Sequence, residues 1–242
     1  MRLSNVPSWR LEVGGAQVLD MALFLRDVAQ LIVPQAEDAP SGQVARSAGD
    51  AGAVPASGPA GYPLNADDRR TVGADWLRWW RELVRFEADP EPTHDPESVP
   101  ESAASAARSP GARWRRRQAR QENVFDPPTF AALEPWPHLR RLAALGFTDA
   151  RDWSNQASQA PAGTNSPALV SWDLINEVVA ATMSDHHLAP DQIHGKLIVL
   201  NVTDDWSHRP RPGIALCSLS VAHDPATVST LLRDTLAPGN HQ

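Results

Sequence analysis

Only one cysteine, Cys217, occurs in 242 residues, which excludes an intramolecular disulfide and any zinc site built from several thiolates. Lysine is almost as scarce: of 22 basic residues only Lys196 is a lysine. With Ala, Arg, Pro and Trp abundant, that imbalance reads as the coding bias of a GC-rich bacterial genome, so arginine content by itself is not a binding signal. The first residues, Met-Arg-Leu-Ser-Asn-Val-Pro-Ser-Trp, hold no sustained apolar stretch of the kind a secretory leader needs. The longest periodic apolar segment, 18–33, is interrupted by Asp20, Arg26, Asp27 and Gln30, which makes it too short and too polar to cross a bilayer. The expectation is a soluble, cytoplasmic chain with no membrane partner. Net charge is −7, which disfavours a general nucleic-acid coat.

Reactive motifs are missing as well. There is no G-x-x-x-x-G-K-[ST] phosphate loop, no G-x-S-x-G elbow, no S-x-x-K set and no H-E-x-x-H, and Gly14-Gly15 lacks the third glycine of a dinucleotide fingerprint. No cofactor is expected. Cys217 sits inside an apolar run, where a thiol serves as a small hydrophobe.

What is present points to an α+β fold. Residues 9–13 alternate apolar and polar side chains like a half-buried strand. The stripe Met21, Phe24, Val28, Leu31 and Ile32 predicts a helix over 18–33, closed by Pro34. Asn65, followed by Asp67 and Asp68, predicts the start of a helix running to about Glu87. Along it Trp76, Trp79, Trp80, Leu83 and Phe86 share one side. That stripe reads more simply as core than as a partner-binding hot spot. Pro137 opens a short helix that stops near Gly146, and 154–167 read as a surface loop. Trp172, Ile175, Val178, Val179 and Met183 predict another amphipathic helix. The near-continuous apolar runs at about 196–203 and 213–221 suit strands buried on both faces. Asp224-Pro225 starts a last helix carrying Val228, Leu231, Leu232 and Leu236. The fold class expected is therefore a small sheet built around that C-terminal strand pair and covered by amphipathic helices.

Two stretches break the pattern. Residues 34–63 hold five prolines and five glycines, and 89–111 hold five prolines with Val99 as the one aliphatic residue larger than alanine. Both are expected to be disordered, since such composition buries too little apolar area to offset ordering entropy. The organisation expected is a single core over 1–237, formed by 8–33, 64–88 and 122–237, with a flexible tail at 238–242.

Three surfaces could carry chemistry. His186, His187, His194, His208 and His223 are interleaved with Asp185, Asp191, Asp204 and Asp205, ligand types that could hold a divalent cation and its activated water. Their spacing follows no metal template, and no metal is expected. The segment Asp204 to Pro212 joins the two best strands and concentrates acid, base, aromatic and guanidinium groups. Asp205 and His208 are its catalytic candidates, and Trp206, Arg209 and Arg211 its binding candidates, against the plainer reading of a proline-stiffened hairpin loop. The run Arg113 to Arg120, with Arg115, Arg116 and Arg117 at its centre, could grip phosphates beside Trp114. The neighbouring acidic insert offers an internal counter-charge, so nucleic acid is not the expected partner. The leading expectation is a non-catalytic accessory or assembly component that binds another protein. A metal-assisted hydrolase and a polyanion binder are the alternatives.

Overall fold

The computed structural model describes residues 8–45, 64–89, 117–159 and 170–237. Four strands form one sheet: β1 (Arg10–Gly14), β2 (His194–Leu200), β3 (Ser207–Arg211) and β4 (Ile214–Ser218), in the order β1-β2-β4-β3. β1 and β4 both run parallel to β2, and β3 returns antiparallel on the outer side of β4. The helices are α1 (Gln17–Val28), α2 (Ala66–Ala88), α3 (Pro137–Gln159), α4 (Trp172–His186), α5 (Leu219–His223) and α6 (Pro225–Leu236). A further helical turn covers 117–122. The fold is α+β.

Period-two alternation divides the strand side chains between two apolar clusters. Ile198, Leu200, Ile214 and Leu216 face α1, α2 and α3. Leu197, Val199, Ala215 and Cys217 face α4 and α6. β2 and β4 read as unbroken apolar runs because both of their faces are covered.

The helix starts follow local chemistry. Asn65 accepts from the backbone N–H groups of Asp67 and Asp68 at 2.9 Å each, and Asp224 accepts from Ala226. On α2, Trp76, Trp79 and Trp80 are at most 1 % exposed. Each indole N–H has a carbonyl to bond: Ala22 at 2.8 Å, Val124 at 2.9 Å and Asp38 at 2.7 Å. The tryptophan stripe is core.

Several boundaries differ from expectation, each for a tertiary reason. The predicted helix 18–33 ends at Val28, where Gln30 takes φ 50, and the chain turns across α2. There the Ile32 N–H bonds the Arg69 carbonyl. A β-carbon on Gly73 would lie 2.3 Å from the Ile32 oxygen, so the crossing needs glycine at that position. The helix expected to stop near Gly146 continues to Gln159. Phe147, packed on Phe125 and Phe130, the buried Ala150 and Trp153, stacked on Phe24 of α1, extend its apolar face, and that packing outweighs the weak helix preference of one glycine. Ile214 to Val221 is not one strand: Ser218 caps a helical turn by accepting from the Val221 N–H, and β4 ends there. Nor do β2 and β4 form a hairpin. The segment between them supplies β3, with Gly213 at φ 75 in the β3–β4 turn.

The expected insert 34–63 is corrected over its first part. Residues 34–45 form an ordered strap that buries Ala39 and Val44 and bridges Val44 to Val202. Its order comes from partners outside the strap. The buried Arg26 guanidinium donates to the carbonyls of Pro40 and Gly42 and to the Asp27 carboxylate. The other Asp27 oxygen accepts from the Val44 N–H at 2.6 Å. Residues 46–63 and 238–242 lie outside the described residues. So does the second expected insert apart from Asp89, which ends α2 and pairs with Arg120 at 2.7 Å.

One buried acid stands out. Asp20, 2 % exposed, accepts from the backbone and side-chain amides of Asn201 at 3.0 and 2.7 Å, tying α1 to the end of β2. Burial pushes its carboxyl from 3.8 up to about 6, against the pull of those two bonds. A folded-state pKa above the unfolded one means the folded chain holds the proton more tightly. The stability this contributes is therefore present at low pH and is lost as pH rises through about 6, a fall of about 3 kcal/mol for a shift of this size. Asp20→Asn, with the Asn201 amide turned to accept, should match the wild type near pH 4 and exceed it by up to about 3 kcal/mol near pH 7. Urea melts at several pH values check this. A constant difference between the two proteins across that range would contradict it.

Candidate functional site

The Asp204–Pro212 segment is the place where sequence patterning puts most chemistry, and the structure gives four of its groups, Asp204, Trp206, His208 and Arg209, a holding task. Asp204 accepts from the backbone N–H of Ser41 at 3.0 Å and of Gly42 at 2.8 Å, which fixes the strap. Trp206 packs against the α1–α2–α3 cluster and donates its indole N–H to the Glu37 carbonyl at 3.1 Å. His208 stacks on Trp206, ring centroids 6.1 Å apart. Burial lowers its pKa from the ordinary imidazole range, and the nearby Asp38 carboxylate works the other way. Arg209 donates to the Asp234 carbonyl at 3.1 Å. Asp205 is exposed and bonds none of the described residues. The two catalytic candidates, Asp205 and His208, are not joined by any hydrogen bond or ion pair.

The remaining histidines are dispersed. His186 and His187 end α4, His194 begins β2 and His223 ends α5, all on exposed positions. Among the described residues no three His, Cys, Asp or Glu side chains gather as a cation would require. Burial pushes the Cys217 thiol up to about 12, far from the thiolate that a nucleophile needs.

Of the arginine-rich run, Arg115 and Arg116 lie outside the described residues. Arg117 bonds Glu87 at 2.7 Å and packs over the Phe86 ring at 5.2 Å. The sole lysine, Lys196, reaches the same Glu87 oxygen at 3.2 Å and the Glu87 carbonyl at 3.1 Å. Both cations therefore complete the end of α2, where the helix dipole is negative. They form one wall of an open groove of about 490 Å³ at the amino ends of β2 and β4. Arg211 faces that groove from β3 and forms no ion pair among the described residues.

Trp172 belongs to none of the chemical motifs above and stands apart by its exposure. Eight of the nine tryptophans fall in the described residues, and of these only Trp172 is exposed, at 62 %. Ser171 caps α4 by accepting from the Leu174 N–H, which puts Trp172 at the first helical position. There its ring meets Trp9, just ahead of β1, at 6.5 Å between centroids. Helical spacing groups Trp172 with the apolar residues Ile175, Val178 and Val179, which are buried, yet Trp172 itself is exposed. Its exposure depends on how α4 is rotated on the sheet. Beside this pair runs β1, which among the described residues has β2 as a neighbour on one side only. No helix among the described residues is long and apolar enough to cross a membrane.

Compared with family models, with curated proteins and with solved structures, the chain matches none.

Proposed function

We propose that the protein is a non-catalytic interaction component, an accessory or assembly subunit whose contact surface is the corner formed by Trp9, Trp172 and the open side of β1. The exposed Trp172 carries this reading. The other described tryptophans lie wholly or partly inside, and a large aromatic left in water beside a second ring is the residue type that dominates protein interfaces. The engagement of Asp204, Trp206, His208 and Arg209 in holding strap and sheet together agrees with it.

Trp172→Ala is the test. Because the side chain is 62 % exposed, its removal should change stability by no more than about 0.5 kcal/mol. Capture of a partner from the native lysate by the tagged full chain should fall at least about tenfold, as for an aromatic anchor worth about 2 kcal/mol. Capture equal to wild type by a variant of unchanged melting temperature would contradict the reading.

A further inference from the structure

We infer that β1 pairs antiparallel with β1 of a second copy of this chain, joining two four-stranded sheets edge to edge about a two-fold axis. The inference rests on the reading of this corner as a contact surface and names what meets its edge.

The two outer strands of the sheet are built differently. β3 carries Pro210, a register break between His208 and Arg211, and the like charges of Arg209 and Arg211. Each of these features keeps a sheet edge from recruiting another strand. β1, Arg-Leu-Glu-Val-Gly, has neither a proline nor a register break against β2.

The direction of its hydrogen bonds follows from one contact. The Arg10 N–H bonds the Ile193 carbonyl at 2.9 Å, and Arg10 lies opposite His194. In a ladder of period two, the N–H and C=O groups of Arg10 and Glu12 then point toward β2, and those of Leu11 and Val13 point away from it. Among the described residues nothing bonds these outward groups.

Charge selects the register. Arg10 and Glu12 are exposed on one face of β1 and form no ion pair among the described residues, while Trp9, Leu11 and Val13 lie on the face of the α4–α6 cluster. Centring the two-fold on Leu11 sets Arg10 of each copy opposite Glu12 of the other. Leu11 then meets Leu11, and Trp9 meets Val13. Centring on Arg10 or on Glu12 instead would oppose like charges, which is destabilising, and a slip of one residue would oppose the polar face to the apolar one. With the axis at Leu11, the outward backbone groups of Leu11 form a hydrogen-bonded pair. The Arg10–Glu12 pairs fall at the non-hydrogen-bonded positions, where side chains stand closest. A mixed pair of charges two residues apart does not blunt an edge as like charges do. It is complementary to itself.

The full-length chain can be tested by sedimentation over a dilution series. The wild type should dimerise. Arg10→Glu and Glu12→Arg should each weaken self-association at least tenfold, and mixing the two variants should give a heterodimer, since each then offers the charges the other lacks. Register has its own test, which needs no charge reversal beside Lys196: under mild oxidation Leu11→Cys should cross-link two copies, and Val13→Cys should not. A wild type that stays monomeric, a dimer unaffected by Arg10→Glu, or equal cross-linking at positions 11 and 13 would overturn the inference. If Trp172→Ala abolishes partner capture while the chain is monomeric, the contact-surface reading stands and self-pairing alone falls.

Discussion

Replacing Trp80 by alanine should lower the unfolding free energy by about 3–5 kcal/mol, the cost of deleting a large aromatic from a packed core. Trp80 has no exposed surface, stacks on Trp76 with ring centroids 5.4 Å apart and donates its indole N–H to the Asp38 carbonyl at 2.7 Å. Losing it leaves a cavity between α2 and the strap and strands one carbonyl. Domain stabilities are about 5–15 kcal/mol in all, so the variant should melt far below the wild type or populate unfolded chain at room temperature. Trp80→Phe keeps most of the ring volume and loses the hydrogen bond, so it should cost less. Chemical denaturation of the three proteins checks the order. An unchanged midpoint for Trp80→Ala would contradict the placement of this stripe in the core.

Arg26→Met should be comparably damaging, by about 3–5 kcal/mol, because it removes the buried member of a largely buried charge pair and leaves its partner and two carbonyls behind. The Arg26 side chain is 7 % exposed; its guanidinium bonds Asp27 at 2.6 Å and lies over the Trp76 ring at 5.6 Å. It also serves the carbonyls of Pro40 and Gly42. The thioether fills part of the space and satisfies none of those acceptors. Asp27 would keep its bond from the Val44 N–H and lose its counter-charge. Limited proteolysis of the variant should therefore open the chain around 38–44, where the wild type should resist. Arg26→Lys should be intermediate, since an ammonium cannot reproduce the fork that reaches two carbonyls and a carboxylate together. Equal cleavage of wild type and Arg26→Met in this segment would mean that the strap is held by something other than this guanidinium.

Much of the fold was legible because its signals are local. Asn65 with Asp67 and Asp68, Asp224 with Pro225, and the doubly buried runs of β2 and β4 each specify their element within a few residues. The tryptophan stripe showed its inward face through helical spacing alone. What escaped depends on distant partners. Composition placed residues 34–45 with the rest of the Pro/Gly-rich insert, yet their order comes from Arg26, Asp27 and Asp204, none of which lies within the strap itself. Gly146 reads as a stop until α1 is known to cover the continuing face. The candidate segment Asp204–Pro212 was found for its density of functional groups, and the same density proves to be what fastens strap, sheet and α6. Trp172 and the open edge of β1 could not be read from the chain, because exposure and edge position are properties of the assembled sheet.

The most direct measurement is backbone amide exchange of the wild-type chain, resolved by residue, as a function of its own concentration. With β1 in the contact surface, the Leu11 and Val13 amides should exchange quickly in dilute protein and slow markedly as concentration rises. The β3 edge should not change, and Arg10 and Glu12, bonded to β2, should be slow throughout. Fast exchange of Leu11 and Val13 that is independent of concentration and of added partner would contradict the assignment of this edge as the working surface of the protein.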